Sequence, residues 1–128
     1  MKMKLKNSEA LERLHSLKPF LSRRDKIGYV AARNYRFLSN SITEFETIRL
    51  GLIEKYGEAG KDERGAPTFT LKMDSPNFKQ FCDELAPFNE MEHEVELMTA
   101  KYDEVAGNLS GEEILAIDWM LEDQEGVS

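Results

Sequence analysis

The sequence predicts an α+β fold, mostly helical, in which a long helix or helical hairpin packs with a small three-stranded sheet. Three observations lead there. Apolar residues recur at threes and fours from Ile27 to Tyr56. Three short segments alternate residue by residue between apolar and polar or charged side chains. Ser-x-x-Asp, Ser-Pro and Ser-x-x-Glu stand where helices should begin. A period near 3.6 marks a helix with one buried stripe, and a period of two marks a strand with one buried face.

In chain order, residues 1–6 form the first strand, with Met1, Met3 and Leu5 on one face and Lys2, Lys4 and Lys6 on the other. A lysine-lined face suits an edge strand, and a basic arm is the alternative. Ser8 is placed to cap a short helix carrying Leu11, Leu14 and Leu17, which Pro19 stops or kinks. Ser22 and Asp25 outline a capping box. The stripe that follows is Ile27, Val30, Ala31, Leu38, Ile42, Phe45, Ile48, Leu52 and Tyr56. As one helix it would run about 50 Å at 1.5 Å per residue. Its weak point is Ser39-Asn40-Ser41, whose side chains compete for backbone hydrogen bonds. Gly57 closes it, and residues 57–67, with three glycines and alternating charges, read as a flexible loop. Phe69, Leu71 and Met73 then alternate with Thr68, Thr70 and Lys72. Ser75-Pro76 opens a helix with Phe78, Phe81, Cys82 and Leu85 on its apolar face, and Pro87 ends it. Over residues 90–98, Glu90, Glu92, Glu94 and Glu96 alternate with Met91, His93, Val95 and Leu97. Ser110 and Glu113 form a capping box for the last helix, carrying Ile114, Leu115, Ile117 and Leu121, and residues 122–128 make a frayed acidic tail.

A chain of 128 residues that is 41% hydrophobic suits a single domain, residues 1–128, with a modest core. Its net charge of −7 is unevenly spread. Residues 1–37 hold ten basic and three acidic side chains (+7); residues 38–128 hold seven and twenty-one (−14). One cysteine excludes an intramolecular disulfide framework. No apolar run reaches the roughly 18–20 residues of a membrane span, and no apolar segment backs the basic N-terminal residues as in a signal peptide. The expectation is a soluble, cytoplasmic protein that requires no membrane.

No Walker loop or dinucleotide fingerprint is present, and no cofactor or metal site is expected. On a strand, Glu92 and Glu94 point away from His93, so that triplet cannot close on one ion. His15 reads as a helix-surface or helix-interface histidine, and Cys82 as a buried apolar thiol. The glutamate ladder reads as a solvated edge, with a contact for Lys2, Lys4 and Lys6 or for Arg23 and Arg24 as the sharper alternative and a divalent cation as the last. The segment 18–37 is the candidate for nucleic acid, nucleotide or another anion. It carries Arg23, Arg24, Lys26, Arg33, Tyr35 and Arg36, interleaved with Phe20, Tyr29 and Phe37. Arginines grip phosphates and aromatic rings stack on bases, and a helix start adds backbone donors. Phe45, Ile48, Leu52 and Tyr56 are the candidate interface, because a 50 Å stripe exceeds what the shorter helices cover. A homo-oligomer follows from that surplus.

Several segments together resemble a family of small phage and prophage proteins of unknown function. They are Met3-Lys-Leu-Lys-Asn-Ser8, the helical stretch 23–56, Glu54-Lys-Tyr-Gly-Glu58, Lys61-Asp-Glu-Arg-Gly65 and Leu109-Ser-Gly-Glu-Glu-Ile-Leu-Ala116. The resemblance implies a phage-encoded protein of the host cytoplasm and supplies no catalytic residue. The leading expectation is a non-enzymatic protein-binding module that inhibits a host factor or defence system or assists assembly. The alternative is an anion- or nucleic-acid-binding protein that uses residues 18–37.

Overall fold

In the computed structural model, which describes residues 1–122, the chain is α+β and mostly helical. It forms two compact units: Met1–Ser41 together with the chain from Glu92 onward, and Ile42–Met91.

The first unit begins with β1 (Lys2–Lys6), which pairs antiparallel with β4 (Glu92–Glu96). The register sets Lys2 opposite Glu96, Lys4 opposite Glu94 and Lys6 opposite Glu92. Each lysine of the first ladder thus faces a glutamate of the other, and Leu5 and Val95 turn to the buried side. Opposite-charge pairs across a strand contribute about 0.2–1 kcal/mol each, so this register is favoured over its one-residue slips.

Helix α1 (Asn7–Leu17) buries Ala10, Leu14 and Leu17. Its cap is two residues earlier than Ser8 suggests: the Lys6 backbone N–H donates to Glu9 Oε1 at 2.9 Å, and the helix begins at Asn7. Pro19 lies in a 3₁₀ turn, Lys18–Phe20. Helix α2 (Lys26–Ser41) buries Ile27, Val30, Ala31, Asn34 and Leu38. Asp25, rather than Ser22, caps it, with Oδ1 accepting from the Gly28 N–H at 3.2 Å. Two further short elements, β5 (Ala100–Lys101) and α5 (Tyr102–Val105), lead to α6 (Gly111–Ile117). The predicted box at the start of α6 is present: Glu113 N–H donates to Ser110 Oγ at 3.1 Å, and Ser110 N–H donates to Glu113 Oε1 at 2.9 Å. A 3₁₀ turn, Asp118–Met120, then leads to β6 (Leu121–Glu122), parallel to β5. Leu17, Ile27, Leu38, Leu97, Ile117 and Met120 are fully buried and form the centre of this unit's core.

The predicted long stripe is interrupted. Ile42 leaves the helical region (φ −115°, ψ 18°), and α3 (Thr43–Tyr56) starts after it. Ser41 Oγ donates to the Leu38 carbonyl at 2.8 Å, the competition foreseen for the serine cluster. No single 50 Å helix exists, so the surplus of apolar stripe inferred from its length does not arise.

The second unit holds α3, β2 (Glu58–Lys61), β3 (Pro67–Thr70) and α4 (Phe78–Asn89). The segment read as a flexible loop is half of an antiparallel hairpin, with Glu58 opposite Thr70 and Lys61 opposite Pro67. Asp62 organises its turn, since Oδ1 accepts from the N–H groups of Arg64 and Ala66 at 2.8 and 2.9 Å. Gly65 sits there at φ +80°, a conformation side chains disfavour. Instead of one three-stranded sheet, three two-stranded sheets result. Ser75 builds a turn before α4, accepting from Asn77 N–H, and the helix starts at Phe78 and runs two residues past Pro87. Cys82 is exposed, not buried. One step after Phe81, it falls on the flank of the stripe that Phe78, Phe81 and Leu85 define. Among the described residues no helix is long and apolar enough to cross a membrane. The tail read as frayed lies outside the described residues, except for Glu122.

Candidate functional site

The basic segment does not converge on one anion site. Arg23 is half-buried and held by acids: Nη2 lies 2.8 Å from Asp25 Oδ2, Nη1 lies 3.3 Å from Glu113 Oε2, and Nη2 also donates to the Asn108 carbonyl at 3.0 Å. The Asp25 hydrogen bond raises the Arg23 guanidinium above its ordinary value and holds the Asp25 carboxyl below the usual carboxylate range. Lys26 pairs with Glu104, whose carboxyl it lowers. The N-terminus of α2, expected to attract an external anion, is occupied by the chain's own Asp25. Arg33 stacks its guanidinium 5.1 Å from the Phe37 ring centroid, with Nε buried and unpartnered. Tyr35 is half-buried, while Arg24, Arg36 and Tyr29 are exposed.

Of the candidate interface residues, Phe45 is buried and Ile48, Leu52 and Tyr56 are half-buried. Within the second unit, Tyr56 Oη donates to Glu84 Oε1 at 2.8 Å, and Lys55 Nζ lies 5.0 Å from the Tyr56 ring centroid. His15 is exposed on α1. His93 Nε2 lies 2.7 Å from Asn7 Oδ1, which makes it a structural hydrogen bond at the rim of the β1–β4 pair. Among the described residues no three His, Cys, Asp or Glu side chains gather as a metal site.

A different face carries the features of a contact site. Between α1 and the α6 segment lies a shallow groove of about 370 Å³, lined by Glu9, Glu12, Arg13, Leu115, Ala116 and Trp119, with Ser16 at one end. Residues 9, 12, 13 and 16 share one side of α1, and 115, 116 and 119 share the outward side of α6 and the turn that follows it. The Arg13 guanidinium stacks 4.9 Å from the Trp119 ring centroid. Burial pulls that guanidinium below its ordinary value, and Glu9 and Glu12 push the other way. Arg13 Nη1 and Trp119 Nε1 are buried without hydrogen-bond partners. Beside them Leu115 is 80% exposed. No protein-family model, curated protein or solved structure matches this chain.

In the sequence, Leu115 groups with the apolar residues of the last helix, and neither Trp119 nor Arg13 falls in a motif. The signal was present but faint. Ile114 and Ile117 define the inward side of α6, and Leu115 is out of phase with that pair. The spatial approach of α1 to α6, some hundred residues apart in sequence, has no local signature.

Proposed function

We propose that the chain is a non-enzymatic protein-binding module that docks its partner on the α1–α6 face. The observation carrying this reading is the grouping of Leu115, at 80% exposure, with the stacked Arg13–Trp119 pair in one groove. Tryptophan and arginine dominate the energetics of protein interfaces, above all where they are packed and desolvated. An exposed leucine beside them supplies the apolar surface that association removes from water. In line with the phage resemblance of the sequence, the partner is proposed to be a host factor, a defence component or an assembly protein in the bacterial cytoplasm. Self-association through Ile48, Leu52 and Tyr56 belongs to the same proposal, and a mass of 14.7 kDa by light scattering would remove it. A photo-cross-linking residue placed at Leu115 in the full chain, expressed in host cells, tests the docking reading. A discrete adduct from position 115, and none from position 29, is expected. No adduct at 115, or the same adducts at both positions, would overturn it.

The second reading is anion or nucleic-acid binding, favoured by Arg24, Arg36 and the 59% exposed Tyr29. The ion pairs that neutralise Arg23 and Lys26 weigh against it. A salt-dependent mobility shift with DNA, RNA or nucleotide is its test, and no shift at low salt removes it.

A further inference from the structure

We infer that the partner segment received by the α1–α6 groove is a basic amphipathic helix, an inference that rests on the protein-binding reading above. Shape limits the occupant first. A shallow groove of about 370 Å³ between two helical segments has room for the side chains of one further element laid along it. The outward side of α6 then asks for apolar side chains, since Leu115, Ala116 and Trp119 line it.

Charge selects the remainder. Glu9 and Glu12 line the groove from α1 and are exposed. Glu112 and Asp118, also exposed, stand three residues to either side of Leu115. Arg13 is the one cation of the lining, and its guanidinium is engaged on the Trp119 ring. The rim therefore presents negative charge around an apolar centre, and lysine or arginine flanking an apolar stripe complements it. The same rim disfavours a second copy of this face. A twofold contact would bring Glu9 and Glu12 of one copy against the acidic rim of the other.

Trp119 is the one tryptophan of the sequence, so its emission reports on this groove in the full-length chain. The probes are two synthetic peptides of roughly 14 residues with the same helical leucine pattern, one with lysine and one with glutamate at the polar positions. The lysine peptide should shift Trp119 emission saturably, with weaker binding as salt rises. The glutamate peptide should leave it unchanged. Leu115→Lys should weaken the lysine peptide at least about tenfold, with an unchanged circular dichroism spectrum because Leu115 is exposed. Should that variant misfold, Leu115→Ala with Glu12→Gln takes its place, with the same loss expected. No emission change up to about 1 mM peptide, an equal response to the glutamate peptide, or full binding by the variant would overturn the inference. So would self-association of the chain that Leu115→Lys abolishes. If position 115 cross-links a partner and the lysine peptide fails, the charge inference falls and the docking reading stands; if both fail, both fall.

Discussion

Asn34 is the buried polar residue on which the first unit should prove most sensitive. It lies in the middle of α2 at 0% exposure. Its Nδ2 donates to the Met98 carbonyl at 2.9 Å, and its Oδ1 accepts from the Met98 N–H at 2.7 Å. One side chain thereby satisfies both backbone groups of a residue between β4 and β5, as a strand partner would. Asn34→Ala removes these two hydrogen bonds, worth about 1 kcal/mol each, along with a weak one to Met120 Sδ, and leaves two backbone groups to find other partners, at about 1–3 kcal/mol each where water cannot reach. Met98 is only half-buried, so water meets part of that need, and the expected loss is about 2–4 kcal/mol. Asn34→Asp separates hydrogen bonding from size. At neutral pH its carboxylate can accept from Met98 N–H, but it sets a buried charge against the Met98 carbonyl. Burial favours the neutral acid in the folded state, so the folded carboxyl titrates above its unfolded value of about 4. The variant should then be closest to wild type near pH 4 and lose stability as pH rises toward that folded value. Urea unfolding followed by Trp119 emission at several pH values measures both effects. A loss below about 1 kcal/mol for Asn34→Ala, or a pH-independent deficit for Asn34→Asp, would refute the reasoning.

Four further outcomes are expected. Lys4→Glu sets like charges opposite Glu94 and should cost about 0.5–1 kcal/mol, recovered in the double variant with Glu94→Lys; no recovery would mean that the ladder charges do not interact. Asp25→Asn weakens the hold on Arg23; because the folded carboxyl is depressed, its contribution is present above the unfolded value near 4 and fades as pH falls through the folded one, so the melting temperatures of variant and wild type should converge in acid. Gly28→Ala places a Cβ 2.0 Å from the Arg23 carbonyl oxygen and should destabilise by more than about 2 kcal/mol, which thermal melts would contradict if they were unchanged. Phe45→Ala should cost about 3–5 kcal/mol in urea unfolding, since the ring is 4% exposed, and a loss below about 1 kcal/mol would show that the side chain is not packed.

Much of the secondary structure was legible because it is written locally. The alternation of Lys2, Lys4 and Lys6, and of the glutamates from Glu92 to Glu96, marks β1 and β4. Their pairing is not written there: the glutamate ladder reads equally as a solvated edge, and the structure sets it against the lysines of β1. The Ser110–Glu113 box starts α6, and Gly57 closes α3. What stayed hidden depends on geometry finer than a pattern or on distance along the chain. Residues 57–67 have the composition of a loop, yet Asp62 and Gly65 close a hairpin that needs little side-chain burial to form. The break of the long stripe falls at Ile42, an apolar residue just past the serine cluster, which no local pattern singles out. Cys82 and Leu115 show the same limit: one step along a helix turns a side chain by about 100°, enough to move it from core to surface. The basic segment looked cationic in sequence because Glu104 and Glu113, which neutralise Lys26 and Arg23, come some eighty to ninety residues later.

The order of the two units along the chain has a consequence for synthesis. The first unit is discontinuous, and the second is inserted between its halves. Asn7 and His93, which meet at the edge of the β1–β4 pair, are 86 residues apart. At about 5–20 residues per second, β1 leaves the ribosome several seconds before β4 exists to receive it. Through that interval it is an unmatched strand, the kind of segment most apt to join a neighbouring nascent chain. Its lysines repel their like on such a neighbour, so the charges that later fix the register first act to keep the strand apart. Meanwhile the hairpin and helices of residues 42–91 can form from near neighbours alone. Once they have, the flexible chain that must close is less than half as long, which lowers the entropic cost of joining the two halves by roughly 0.6 kcal/mol for each halving.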